Sequence, residues 1–159
     1  MLAAPVGDFL PASGKVAQMN AILELLHRQK TRYLETDHEK LYVQVRRRIT
    51  QRSLLMLFTN FESVNALHRQ LPYLRRIARD HLLIVVFFEN SLLAEKVSAS
   101  ADNVEEVYQQ TIAAKFAFEK KLIVRELQRH GILSMLTAPE SLTVNTVNRY
   151  LELKARQAI

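Results

Sequence analysis

The chain is predicted to fold as an α/β domain, with a parallel sheet of three to four strands flanked by helices. Three observations carry this reading. Two runs, Leu54 to Phe58 and Leu82 to Phe88, are wholly apolar, as expected of parallel strands covered on both faces. Between them Val64, Leu67, Leu71, Leu74 and Ala78 form a helical stripe long enough for a right-handed crossover. With 48% hydrophobic residues and only three glycines among 159 residues, the chain can bury the core that such a fold needs.

Taken in order, Val16, Met19, Ile22, Leu23 and Leu26 recur at three and four between Lys15 and Lys30, which predicts an amphipathic helix with Ser13 as its cap. A second helix is expected after Thr36, which with Glu39 makes a capping-box pattern, and Leu41, Val45 and Ile49 line one side of it. The strand Leu54 to Phe58 follows, then the crossover helix, in which Pro72 should introduce a kink or a restart. After the second strand comes a polar stretch, Ser98 to Asn103. A long helix then carries Val104, Val107, Tyr108, Ile112, Phe118, Leu122, Ile123 and Leu127, with Gly131 closing it in a left-handed conformation. Ile132 to Leu136 reads as the third strand, and a short fragment near Asp8 to Leu10 as a fourth. Beyond Pro139 a terminal helix begins, with Thr143 as its cap and Val144, Val147 and Leu151 as its core face, flanked by Tyr150. No repeat, linker or low-complexity tract divides the sequence, so residues 1–159 read as one domain.

Composition narrows the function classes. There is no cysteine, which removes disulfides, thiolate metal sites and thiol nucleophiles. No apolar run approaches the roughly 20 residues of a spanning helix. The three glycines are isolated, so no phosphate-cradling loop is present, and no Gly-x-Ser-x-Gly elbow or histidine pair at zinc spacing occurs. An enzyme is therefore not expected. The formal charge of +6 is uneven: residues 1–80 hold 13 Lys+Arg against 7 Asp+Glu, and residues 81–159 hold 9 of each. Arg46, Arg47, Arg48 and Arg52 end one helix, and Arg69, Arg75, Arg76 and Arg79 lie along the next. Basic side chains at helix C-termini complement the macrodipole, and the same groups could meet an acidic protein, lipid headgroups or nucleic acid.

The terminal run Val144-Asn145-Thr146-Val147-Asn148-Arg149-Tyr150-Leu151-Glu152-Leu153-Lys154-Ala155-Arg156 resembles the C-terminal helix of the bacterial domain-of-unknown-function family fifty-eight. The segments Leu54-Leu55-Met56-Leu57-Phe58-Thr59-Asn60 and Leu71-Pro72-Tyr73-Leu74-Arg75 resemble it as well. That resemblance implies a Rossmann-like, von Willebrand factor A-like domain associated with MoxR-type AAA+ ATPases. It further implies that this chain is the C-terminal portion of the domain, lacking the first strand and its Asp-x-Ser-x-Ser metal loop. Relatives often carry two membrane-spanning helices upstream, which places the protein in the cytoplasm or, as part of an anchored parent, at the inner face of the membrane.

By the same resemblance Thr36 with Asp37 would correspond to the second metal loop and Asn60 to the third, where the family pattern has Asp. A neutral amide there lacks the charge that draws magnesium, so no cofactor is expected unless the missing loop is supplied elsewhere. The functional reading is a non-enzymatic protein-interaction module, an adaptor for a MoxR-type ATPase, with self-association as a further partner mode. Its candidate partner-binding residues are Arg46, Arg47, Arg48, Arg52, Asn148, Arg149, Tyr150, Lys154 and Arg156; Arg149 and Glu152 could instead fix the helix as an i, i+3 pair. The alternatives are a degenerate magnesium-dependent phosphoryl-transfer enzyme using Asp37, Asn60 and Glu89, or a nucleic-acid-binding protein using the Arg46 to Arg52 cluster.

Overall fold

Two successive crossovers that advance in the same direction organise the protein. The computed structural model describes residues 9–11, 13, 17–28, 37–89 and 103–157. In chain order these form α1 (Ala17–Arg28), α2 (His38–Arg48), β1 (Leu54–Phe58), α3 (Val64–Asp80), β2 (Leu82–Phe88), α4 (Val104–Arg129), β3 (Leu133–Thr137), a 3-10 turn (Pro139–Ser141) and α5 (Leu142–Ala155). The strands make a three-stranded parallel sheet in the order β1-β2-β3, so the fold is α/β and Rossmann-like in character. β2 is central and the most buried strand, its five middle residues fully covered, because it alone is paired on both edges and covered on both faces.

Successive crossovers of one hand that advance in one direction put their helices on the same face of a sheet. Accordingly α3 and α4 share a face, with α2 against α3. Here Leu55, Leu57, Leu83, Val85 and Phe87 meet Leu67, Leu71, Leu74, Ile77, Ile123 and Leu127 in the main core. Each fully buried side chain of this size contributes about 1.5–3 kcal/mol relative to its exposed state. The alternate strand residues Leu54, Met56, Leu82, Ile84, Val86, Leu133 and Met135 point to the second face, where α5 provides Leu142 and Leu153.

Several local expectations shift. The cap of α2 is Asp37, whose Oδ1 accepts from Lys40 N at 3.0 Å, and not Thr36, which lies outside the described residues. Asp37 has the extended backbone of a capping residue immediately before the helix. Pro72 does not interrupt α3: the helix runs through it, because the ring faces solvent while Leu71 and Leu74 anchor the turns on the core side. Thr143 lies inside α5, which grows directly out of the 3-10 turn begun by Pro139, so the helix has no side-chain cap. β3 starts one residue later than expected. Phe9 and Leu10 carry no strand, and Asp8 is outside the described residues. Gly131 does adopt the left-handed conformation, φ +71°, at the exit of α4.

Candidate interaction surfaces

At the carboxyl edge of β1 the structure brings together two of the three residues that the resemblance implies for a metal. The His38 ring stacks on Phe61 with centroids 5.4 Å apart, so the start of α2 lies against the β1–α3 turn. Both polar groups already have other partners. The Asp37 carboxylate caps α2 and pairs with Lys40 Nζ at 3.2 Å, and the hydrogen bond from the Lys40 amide is the chief reason its pKa lies below the usual value. Asn60 Oδ1 accepts from the Lys120 ammonium, which also donates to the Phe61 carbonyl at 2.8 Å. A divalent ion at Asn60 would therefore meet a positive charge. Thr36 lies outside the described residues, and among those described no cluster of three His, Asp or Glu forms a metal site. The two visible members of the implied set do not fit magnesium.

Lys120 and its neighbour Glu119 were not among the sequence candidates, yet they fasten α4 to the β1–α3 turn. Glu119 Oε2 accepts from Val64 N at 3.1 Å, satisfying a first-turn amide of α3, while Ser63 Oγ accepts from Ala66 N at 3.2 Å. Half-burial of Lys120 lowers its pKa by desolvation. A second unforeseen cluster lies nearer the other end of α4. One Glu126 oxygen is 3.4 Å from His68 Nε2 and 3.3 Å from His130 Nε2, and the other is 3.3 Å from Arg129. Burial alone would raise the Glu126 pKa; the bonds from His68 and His130 and the Arg129 charge outweigh it and hold the carboxyl below its ordinary value. His68 and His130 are remote in sequence from each other, so no local spacing could have revealed the pair.

The arginines Arg46, Arg47, Arg48 and Arg52 gather at the opposite, amino edge of the sheet. Glu39 accepts from Tyr73 Oη at 3.1 Å and the Arg76 guanidinium lies 5.7 Å from the Tyr42 ring centre, so α2 and α3 run parallel and end together. Arg46 and Arg47 are exposed, and Arg48 lies over the Phe9 ring at 4.6 Å. Glu89 is exposed at the carboxyl edge, where its backbone N–H donates to Thr137 O. That edge is the far end of the strands from the arginines.

The terminal helix reverses its expected orientation. Val144, Val147 and Leu151 are 62%, 50% and 54% exposed, and Tyr150 is 40% exposed. The side turned toward the sheet carries Leu142, Asn145, Thr146, Arg149 and Leu153, spaced as one helical face. Of these, Leu153 is the buried residue, at 5% exposure against Ile84 and Val86. Asn145 Nδ2 donates to the buried Thr137 Oγ1 at 2.7 Å, whereas Thr146 Oγ1 is buried with no hydrogen bond among the described residues. Arg149 and Glu152 form the i, i+3 pair at 2.5 Å, and Arg156 reaches the other Glu152 oxygen at 2.7 Å. The bond from Arg149 is the main cause of a lowered Glu152 pKa. Asn148, Tyr150, Lys154 and Arg156 remain exposed beside the apolar strip. No family model, curated protein or solved structure matches the chain.

Proposed function

We propose that this chain is a non-enzymatic protein-interaction module that docks through the outward strip of α5. The single observation behind this reading is the inverted helix. α5 turns a mixed face with an unbonded buried hydroxyl toward the sheet and presents Val144, Val147, Tyr150 and Leu151 to solvent. Apolar strips rimmed by polar groups mark interaction sites, because covering them releases the cost of their hydration. Asn148, Lys154 and Arg156 provide such a rim, and the Arg149–Glu152–Arg156 pairs hold it in register.

From the resemblance of this same segment we take the partner to be a MoxR-type AAA+ ATPase, with the module working in the cytoplasm or on the inner side of a membrane. No helix among the described residues is long and apolar enough to cross a membrane. The test is size-exclusion co-elution of the purified chain with a MoxR-type ATPase, for the parent and for a Val147→Asp, Leu151→Asp variant. Co-elution that the variant abolishes without lowering its melting temperature supports the reading. If no such ATPase co-elutes, or if the variant binds equally well, the reading fails; loss of a homodimer in the variant would reassign the strip to a second copy of the chain.

A further inference from the structure

The amino edge of the sheet collects more positive charge than helix ends require. α3 and α4 run antiparallel to the strands they connect, and α2 runs beside α3, so three helix C-termini converge there. Between the second half of α3 and the end of α4 lies a groove of about 520 Å³, lined by Arg75, Arg76, Arg79 and His130 together with Pro72 and Ala78. The nearby acids are largely spoken for: Asp80 pairs with Arg79 at 3.2 Å, and Glu126 with Arg129, His68 and His130. Among the described residues Arg75 and Arg76 have no carboxylate within ion-pair distance, and both are exposed.

We infer that this groove is a docking site for an acidic segment of a partner protein. The planar guanidinium forks of Arg75 and Arg76 match carboxylates two hydrogen bonds at a time. Arg46 and Arg47, at the parallel end of α2, extend the same field beyond the groove, so an extended peptide carrying several Asp or Glu residues can be followed along its length. Carboxylates suit the place better than nucleic acid. Among its described lining residues the groove has no Phe, Tyr or Trp on which bases could stack.

The surface is distinct from the α5 strip, and its test does not depend on that strip. A labelled peptide of alternating Asp and Glu, without apolar anchors, is titrated with the protein by fluorescence anisotropy at about 50 and about 200 mM salt. The expected result is saturable binding that weakens with salt and falls about tenfold in the Arg75→Gln, Arg76→Gln variant. A Lys115→Gln, Lys121→Gln variant, which removes the same charge from exposed positions of α4 away from the groove, should retain the parent affinity. Absence of binding, or equal loss in both variants, would overturn the proposal. So would a single-stranded oligonucleotide that binds more tightly and displaces the peptide, because the groove would then serve nucleic acid.

Discussion

Replacing Leu153 and Leu151 separately by alanine distinguishes the two faces of α5. Leu153 is 5% exposed and packs against Ile84 and Val86 on the second face of the sheet, whereas Leu151, two residues away, is 54% exposed. Burial of leucine in cores is worth about 2–5 kcal/mol on truncation to alanine. The cluster around Leu153 is small and its surrounding residues Leu54, Met56, Leu82 and Met135 are only partly buried, so the vacated space can collapse or admit solvent. The expected cost is therefore in the lower half of the range, about 2–3 kcal/mol, or roughly 5–10 °C in melting temperature for a chain of this size. Leu151→Ala should stay within about 0.5 kcal/mol of the parent. Urea unfolding followed by circular dichroism measures both. Equal destabilisation by the two variants, or a larger loss for Leu151, would refute the orientation of the helix and with it the exposed strip.

Ser63→Ala removes the hydroxyl that accepts from Ala66 N and should cost about 1 kcal/mol in urea unfolding, with Glu119→Gln adding a smaller loss through Val64 N. Gly131→Ala meets no atom within 4 Å, so its cost is the left-handed backbone alone, about 1 kcal/mol, and a neutral result in thermal unfolding would contradict the positive φ. Glu126 has a folded pKa below its ordinary 4.5, so its stabilisation is present above that value and is lost as pH falls through the lower folded pKa. The melting-temperature gap between parent and Glu126→Gln should accordingly be open at neutral pH and close below pH 4.5; a constant gap would show that the carboxylate is not preferentially stabilised in the fold. Millimolar magnesium should leave the melting temperature of the parent unchanged, because Lys120 occupies Asn60; a rise that EDTA reverses would show that the ion displaces the ammonium.

What the sequence made legible is what depends on neighbours along the chain. β1 and β2 stand out as apolar runs, and Gly131 marks the end of α4 by its left-handed backbone. The cap of α2 shows the limit of that reading: the Asp37 carboxylate, one residue beyond the expected Thr36, takes the Lys40 N–H. Tertiary pairings leave no local trace. Lys120 reaches Asn60 across 60 residues, and Glu119 reaches Val64 across 55, so neither could be found by periodicity or motif. The apolar stripe of α4 was also only partly informative, since Ile123 and Leu127 enter the core while Val104, Val107, Tyr108 and Phe118 stay exposed.

The reversed helix follows from topology and not from a defect in the pattern. A period of three and four identifies an apolar face but does not name what covers it. Both crossover helices occupy the first face of the sheet, so the second face is left to α5, which reaches it with Leu142 and Leu153. Those two leucines are separated by 11 positions, about three turns, and the turns between them contribute Asn145, Thr146 and Arg149. Rotating α5 to bury Val144, Val147 and Leu151 would bring more apolar surface to the sheet, but it would withdraw Leu153 from Ile84 and Val86 and break the Asn145 bond to Thr137. The helix thus gives up the burial of its own best face to keep a specific seat. α1 likewise leaves Met19, Leu23 and Leu26 exposed among the described residues. Two helices whose apolar residues exceed what the three-stranded sheet can cover make association the economical way to complete the burial that the sequence provides for.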